Sequence, residues 1–361
     1  MPKVSKTFII VDSQQRKVAS KVTFANHKIA TVVKQFRDSM VQGKIEASVH
    51  WSAELLVGGN VWNIWESIFF VLGSYFYTHA HTCSYVYDRY ERFKKEANGL
   101  ADIKLRDSPL VRSIIAEVVS VLASGDKHYK ATRQSVADEM FNLTHLKPHL
   151  KATSRDPGRP YIKEDDPPEA AICANELAYA LSTKNLTQAH FWTEWLLAWQ
   201  RRCVKHKISS QCATRKLEGA PAKHTTTPPL LLWTVLAREA AKSTRQLVTI
   251  VACWQKIFMI KFTNKVNPTR SLLLHAAVFS VCNRDRLILT KPLSITNLIP
   301  KVMDGLPLIY ERICAQCELT MQEELDVGAA GDRGGKKSKD GGVVMADDPL
   351  FALMPNPLRQ S

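Results

Sequence analysis

The 361-residue chain is 45% hydrophobic and 23% charged, a composition that excludes disorder throughout and suffices for one large core or two packed subdomains. Its 49 Lys and Arg against 34 Asp and Glu leave a formal charge of +15. That excess favours an anionic partner, because a polyanion releases counterions when cations neutralise its phosphates and an anionic lipid surface attracts the same charges.

The run Phe8 to Val11 is too short for the apolar core of a secretory signal. The β-branched segments Thr7 to Asp12 and Val18 to Phe24, separated by a polar stretch, predict a small N-terminal β-hairpin. Helices follow. Asn26 can cap a segment in which Ile29, Val32, Val33, Phe36 and Met40 recur at helical spacing up to Gly43. The block Trp51 to Gly59 and the aromatics Trp62, Trp65, Phe69, Phe70, Tyr75, Phe76 and Tyr77 mark a buried helical region. Asn63 and Glu66 interrupt it, and it falls short of the ~20 apolar residues of a membrane span. Tyr85 to Ala97 predicts a helix with Tyr90 and Phe93 on one face and Arg89, Arg92, Lys94 and Lys95 on the other.

Ser108-Pro109 is the clearest helix start, since serine can accept from an orphan amide and proline at the first position loses no paired donor. The stripe Leu110, Val111, Ile114, Ile115, Val118, Val119 and Leu122 then runs to Gly125. Ser135 to Leu146 predicts a further short helix. From Lys151 to Pro168 proline, glycine and charge mark a subdomain boundary, with Asp166 as an N-terminal signal for a helix over Glu169 to Ser182. Thr187 opens the next helix, in which Trp192, Trp195 and Trp199 share a face read as core. Further helices are predicted after Thr227-Pro228-Pro229, divided near Ser243-Thr244, then over Ser271 to Cys282 and Val302 to Glu324. The organisation expected is mainly α: an N-terminal hairpin and helical subdomain over 1–150, a linker over 151–168, a helical subdomain over 169–326 and a disordered tail over 327–361.

Neither a phosphate-cradling glycine loop, a Gly-x-Ser-x-Gly elbow nor a His-Glu-x-x-His helix occurs, so no enzyme activity and no cofactor are expected. The scattered eight cysteines read as buried, reduced thiols. Cys203, His206 and Cys212 could supply three zinc ligands and Cys314 and Cys317 a Cys-x-x-Cys pair, but a closed tetrahedral site needs four. The basic residues carry more weight. Arg201, Arg202, Lys205, Lys207, Arg215 and Lys216 lie at a helix end and the following loop, and with Arg89, Arg92 and Lys95 they are the candidate phosphate contacts. The same charges could serve only as a solvated face or as complements to the helix dipole. In the tail, Leu350, Phe351, Leu353 and Met354 form a short apolar segment suited to docking into a partner's groove.

Several blocks occur in order along the chain: Trp51 to Gly58; Leu105-Arg106-Asp107-Ser108 with Val111-Arg112 and Ala116-Glu117-Val118; Asp165-Asp166-Pro167 leading into Asn175-Glu176-Leu177-Ala178-Tyr179; and Trp192 with Glu194-Trp195. In these, over roughly Thr7 to Ile299, the chain resembles an uncharacterised protein family of the nucleocytoplasmic large DNA viruses. The resemblance implies a viral context, in the infected cell's cytoplasm, nucleus or virion, and carries no catalytic residue with it. Two functions fit. One is a non-enzymatic accessory protein of viral replication or transcription that binds the DNA or RNA phosphate backbone. The other is a virion or assembly protein acting through contacts with viral proteins.

Overall fold

The computed structural model describes residues 21–23, 25–127, 130–131, 135–288, 299–313 and 315. Thirteen α-helices and no strand occur among them. Most of the expected hairpin and the whole tail over 327–361 lie outside the described residues; Val22 makes an isolated antiparallel bridge to Lys28.

The first half is built by α1 (Ile29–Val41), α2 (Ile45–Val57), α3 (Val61–Tyr75), α4 (Ala80–Ala97), α5 (Asp102–Asp107) and α6 (Pro109–Ser124). In α1, Val32, Phe36 and Met40 are buried one turn apart against α2 and α6. Asn26 is not its cap: it sits at φ +58°, and Lys28 precedes the helix without a side-chain cap. Ser108 does cap α6, accepting from the Val111 amide at 3.3 Å. The tight turn after α2 requires glycine at position 59, where φ is +72° and a Cβ would lie 2.7 Å from the buried Arg106 guanidinium. The predicted helix over Ser135 to Leu146 is instead a 3-10 turn, Asp138–Phe141, and one helical turn, α7 (Leu143–Leu146). Asn142 breaks the run by capping that turn through Thr144, and only Leu146 of the segment is buried.

The second half contains α8 (Pro168–Ser182), α9 (Leu186–His206), α10 (Pro228–Ala241), α11 (Arg245–Met259), α12 (Pro268–Cys282) and α13 (299–313). Thr244 caps α11 and Asn267 caps α12. The two halves share one core. In α3, Gly73 lets the helix approach Leu272 of α12 so closely that a Cβ there would lie 3.2 Å from the Leu272 Cβ. Cys83 of α4 donates to Cys253 of α11 across 3.1 Å, both thiols buried, and the Tyr77 and Phe279 rings meet edge to face at 4.7 Å.

Segment 151–167 is a strap fixed to α8 and to the loop after α9. Glu176 accepts from the Lys151 and Ala152 amides, and Asn175 accepts from the Gly158 amide at 2.8 Å and donates to the Ser154 carbonyl at 2.9 Å. Tyr161 donates to Glu239 of α10. Asp166 does not cap α8. Its carboxylate accepts from the amides of Lys163 and Ala213 and forms an ion pair with Arg215 at 2.5 Å, both side chains almost wholly buried. Burial alone would raise the Asp166 pKa; the hydrogen bonds from Arg215, Lys163 and Ala213 outweigh it and hold the carboxyl below its usual value.

Removing one partner of a buried pair strands a charge. Arg215→Met is therefore expected to lose about 3–5 kcal/mol in urea unfolding, and adding Asp166→Asn should recover most of the loss. The sign of the pH dependence follows from the lowered carboxyl. The pair's stabilisation is complete above the unfolded aspartate pKa of about 4 and is lost as pH falls through the lower folded value. Acid unfolding followed by tryptophan fluorescence should begin at higher pH in Arg215→Met than in the parent. Gly158→Ala places a Cβ 2.6 Å from the Asn175 Cα and should cost about 1–3 kcal/mol by overpacking; an unchanged urea midpoint would contradict that packing.

Candidate nucleic-acid interface

Helix polarity decides where the basic residues go. α9 runs antiparallel to α12: Glu194 meets Ser271 and His275, while Gln200 donates to Asn264, just before the start of α12. α11 joins α12 through a short turn and is also antiparallel to it. α4 runs parallel to α11, with Cys83 beside Cys253 and the Tyr87 ring 5.8 Å from Lys256 Nζ. The C-terminal ends of α4, α9 and α11 therefore share one pole of the bundle. Such ends carry partial negative charge from unsatisfied carbonyls, which lysine and arginine complement.

Of the residues expected from the sequence, Arg92, Lys95, Lys205, Lys207 and Lys216 are exposed at or beside this pole and make no ion pair among the described residues. Arg201 is half exposed, 3.8 Å from Glu194. Arg202 lies 3.7 Å from Asp138 and over the Phe141 ring, where the aromatic face holds its guanidinium. Two of the nine are held by carboxylates at 2.9 Å or closer. Arg89 is bound to Glu117 at 2.9 Å and to Asp88 at 2.7 Å. Arg215 is 4% exposed and committed to Asp166 and the Tyr161 carbonyl.

The structure adds Lys223, Lys261 and Lys265. Lys261 stands at φ +49° with its ammonium 4.2 Å from the Trp62 ring centroid, and the neighbouring Lys265 is exposed in the turn before α12. Lys223 is exposed beside His224, whose ring meets Phe262. None belongs to a charge run, so no local signal marked them. Several carboxylates near the pole are engaged: Glu218 with Lys256 at 3.4 Å, Glu91 with Lys94 at 3.7 Å, Glu96 with Ser108 and Glu66 with Asn267; Glu169, whose charge raises the Cys203 thiol, is exposed there and makes no ion pair among the described residues. Lysine and arginine left unpaired at one end of a helical body can contact phosphate oxygens without reading bases.

Trp192, Trp195 and Trp199 are buried, so none is a stacking platform for bases. Cys203 and Cys212 are buried as well, while His206 is exposed. Burial raises both thiols, Cys212 to about 12, which opposes the thiolate form that zinc requires. No group of three or more His, Cys, Asp or Glu able to hold a metal occurs among the described residues. Leu350, Phe351, Leu353, Met354, Cys314 and Cys317 lie outside the described residues. No described helix is long and apolar enough to cross a membrane. No protein-family model, no curated protein and no solved structure matches the chain.

Proposed function

We propose that this chain is a non-enzymatic accessory protein that binds the phosphate backbone of DNA or RNA through the pole formed by the C-terminal ends of α4, α9 and α11. The observation that carries this reading is the convergence there of Arg92 and Lys95, of Lys205 and Lys207, and of Lys261 and Lys265, exposed and free of ion pairs among the described residues except for cation–π contact at Lys261. These residues come from three separate stretches of sequence, brought together by helix polarity. Backbone contact of this kind is sequence-tolerant, and its strength resides in counterion release. Taken with the resemblance to the large-DNA-virus family, the reading places the protein in replication or transcription, in the cytoplasm or nucleus of an infected cell.

A second reading, a virion or assembly protein, draws on Val204 and Ile208, which are 60% and 64% exposed at the same end of α9. Large apolar side chains in the open are the usual anchors of a protein partner once they form a contiguous patch.

Fluorescence anisotropy with single- and double-stranded DNA and RNA across a salt series tests the first reading. If about five phosphates are neutralised on duplex DNA, the logarithmic salt dependence should have a slope near −4 to −5. Replacing Lys205 and Lys207 by Gln should reduce its magnitude by about one per lysine, whereas Arg155→Gln and Arg159→Gln on the strap should leave it unchanged. Absence of binding to all four nucleic acids at low salt would overturn the proposal and turn attention to Val204 and Ile208 as a protein contact.

A further inference from the structure

The opposite pole holds a different kind of feature. There the C-terminal ends of α3 and α12 and the N-terminal part of α9 enclose a cleft of about 370 Å³, within the size range of small-ligand sites. Phe279, backed by the buried Tyr77 ring, supplies aromatic surface, Lys130 and Arg286 stand on it with Asn283, and His190 lines it; among the described residues no carboxylate does. Neither Lys130 nor Arg286 makes an ion pair among the described residues, and both are exposed. A cleft with two unpaired cations and an aromatic wall favours an anion attached to a flat ring.

The hydrogen-bonding state of His190 narrows the ring. Its Nε2 lies 3.4 Å from the backbone oxygen of His275. A carbonyl can only accept, so Nε2 carries the proton and Nδ1 keeps its lone pair. Burial, aided by the neighbouring His275 ring, lowers the His190 pKa to about 3, so the ring is neutral and Nδ1 remains an acceptor at ordinary pH. The support behind it is rigid. His275 Nε2 is 2.8 Å from Glu194, which also accepts from Ser271, and the two imidazoles meet edge to face at 4.5 Å. With His190 lining it, the cleft offers an imidazole acceptor, an aromatic wall and two cations. A nucleobase supplies an N–H donor and a flat face, and its 5′-phosphate supplies the anion.

We propose that this cleft binds a nucleoside 5′-monophosphate unit, with the base on Phe279 and donating to His190, and the phosphate held by Lys130 and Arg286. The unit can come from a free mononucleotide or from the 5′-phosphorylated end of a strand, which share this chemistry. The site does not depend on the basic pole at the other end of the bundle.

Calorimetric titration of the full chain with adenosine, guanosine, cytidine and uridine 5′-monophosphate tests it. At least one should bind, with its nucleoside and inorganic phosphate each about tenfold weaker or more. Lys130→Ala and Arg286→Ala, exposed positions whose loss spares the core, should each weaken binding about tenfold, and His190→Phe should weaken it while altering the preference among bases. Lys205→Gln and Lys207→Gln should leave it unchanged, which separates this site from the backbone-binding pole. A tetranucleotide carrying a 5′-phosphate, compared with its unphosphorylated form and with the mononucleotide, identifies the source: preference for the phosphorylated strand assigns a strand end, equal or tighter binding of the mononucleotide a free nucleotide. No binding of any of the four monophosphates at millimolar concentration, or binding unaffected by Lys130→Ala and Arg286→Ala together, would overturn the proposal.

Discussion

The architecture depends on α12 having no solvent face. Every residue of this helix except Pro268 and Phe279 is buried, and it packs against α3, α8, α9, α10 and α11. A helix surrounded in this way must satisfy its polar side chains inside the protein, because a buried donor or acceptor without a partner costs about 1–3 kcal/mol. Ser271 and the Nε2 of His275 are satisfied by Glu194 of α9, and Ser280 by the Ala276 carbonyl within α12, while the buried Nδ1 of His275 has no hydrogen-bond partner among the described residues. Arg270 donates to the carbonyls of Phe258, Ile260 and Lys261 at the end of α11. These bonds fix the register and direction of α9 and α11 against α12 more specifically than apolar packing alone would.

Direction then determines what each pole presents. With α9 and α11 antiparallel to α12 and α4 parallel to α11, the helix ends richest in lysine emerge together. The same antiparallel pairing sets Leu186 and His190 near the start of α9 beside Asn283 and Phe279 near the end of α12, which opens the cleft at the other pole. The basic pole and the cleft both follow from one polar constraint at the centre. A side-chain change at Glu194 would be felt at each of them, through the angle between α9 and α12 at one end and through the seating of His275 under His190 at the other.

Much of the helical framework was legible in the sequence, because helix starts and apolar stripes are local. Ser108 before Pro109, Thr244 before α11 and the stripe from Val111 to Leu122 needed nothing beyond their neighbours to be read. The tryptophans of α9 were legible as core for the same reason. What was not legible depends on residues far apart. Arg215 sits in a basic run like its neighbours, but Asp166, remote in sequence, takes it inside. The strap over 151–167 has the composition of a linker, and only the side chains of Asn175 and Glu176 make it structured. α12 carries a weak amphipathic signature because it is buried all round, so periodicity could not indicate which face mattered. Lys261 and Lys265 became visible as part of a surface only once α11 and α4 were known to be parallel.

The positive excess of the chain therefore has two separate physical origins. One set of cations works internally on helix ends, where the last carbonyls lack intrahelical partners. Arg106 donates to the Val57 carbonyl at the end of α2, Arg270 to those closing α11, and Lys127 to Ala123 and Gly125 at the end of α6. Burial lowers the Lys127 pKa to about 8 against the raising influence of Asp126, as expected for an ammonium drawn against the protein to reach those carbonyls. Such residues contribute to the formal charge while being unable to meet a polyanion. The second set, from Arg92 to Lys265, stands in solvent at the pole formed by the C-terminal ends of α4, α9 and α11. Its members come from separate stretches of sequence brought together by the helix packing, and they are exposed. Net charge alone could not separate these two sets, and the distinction is what turns a basic composition into a located surface.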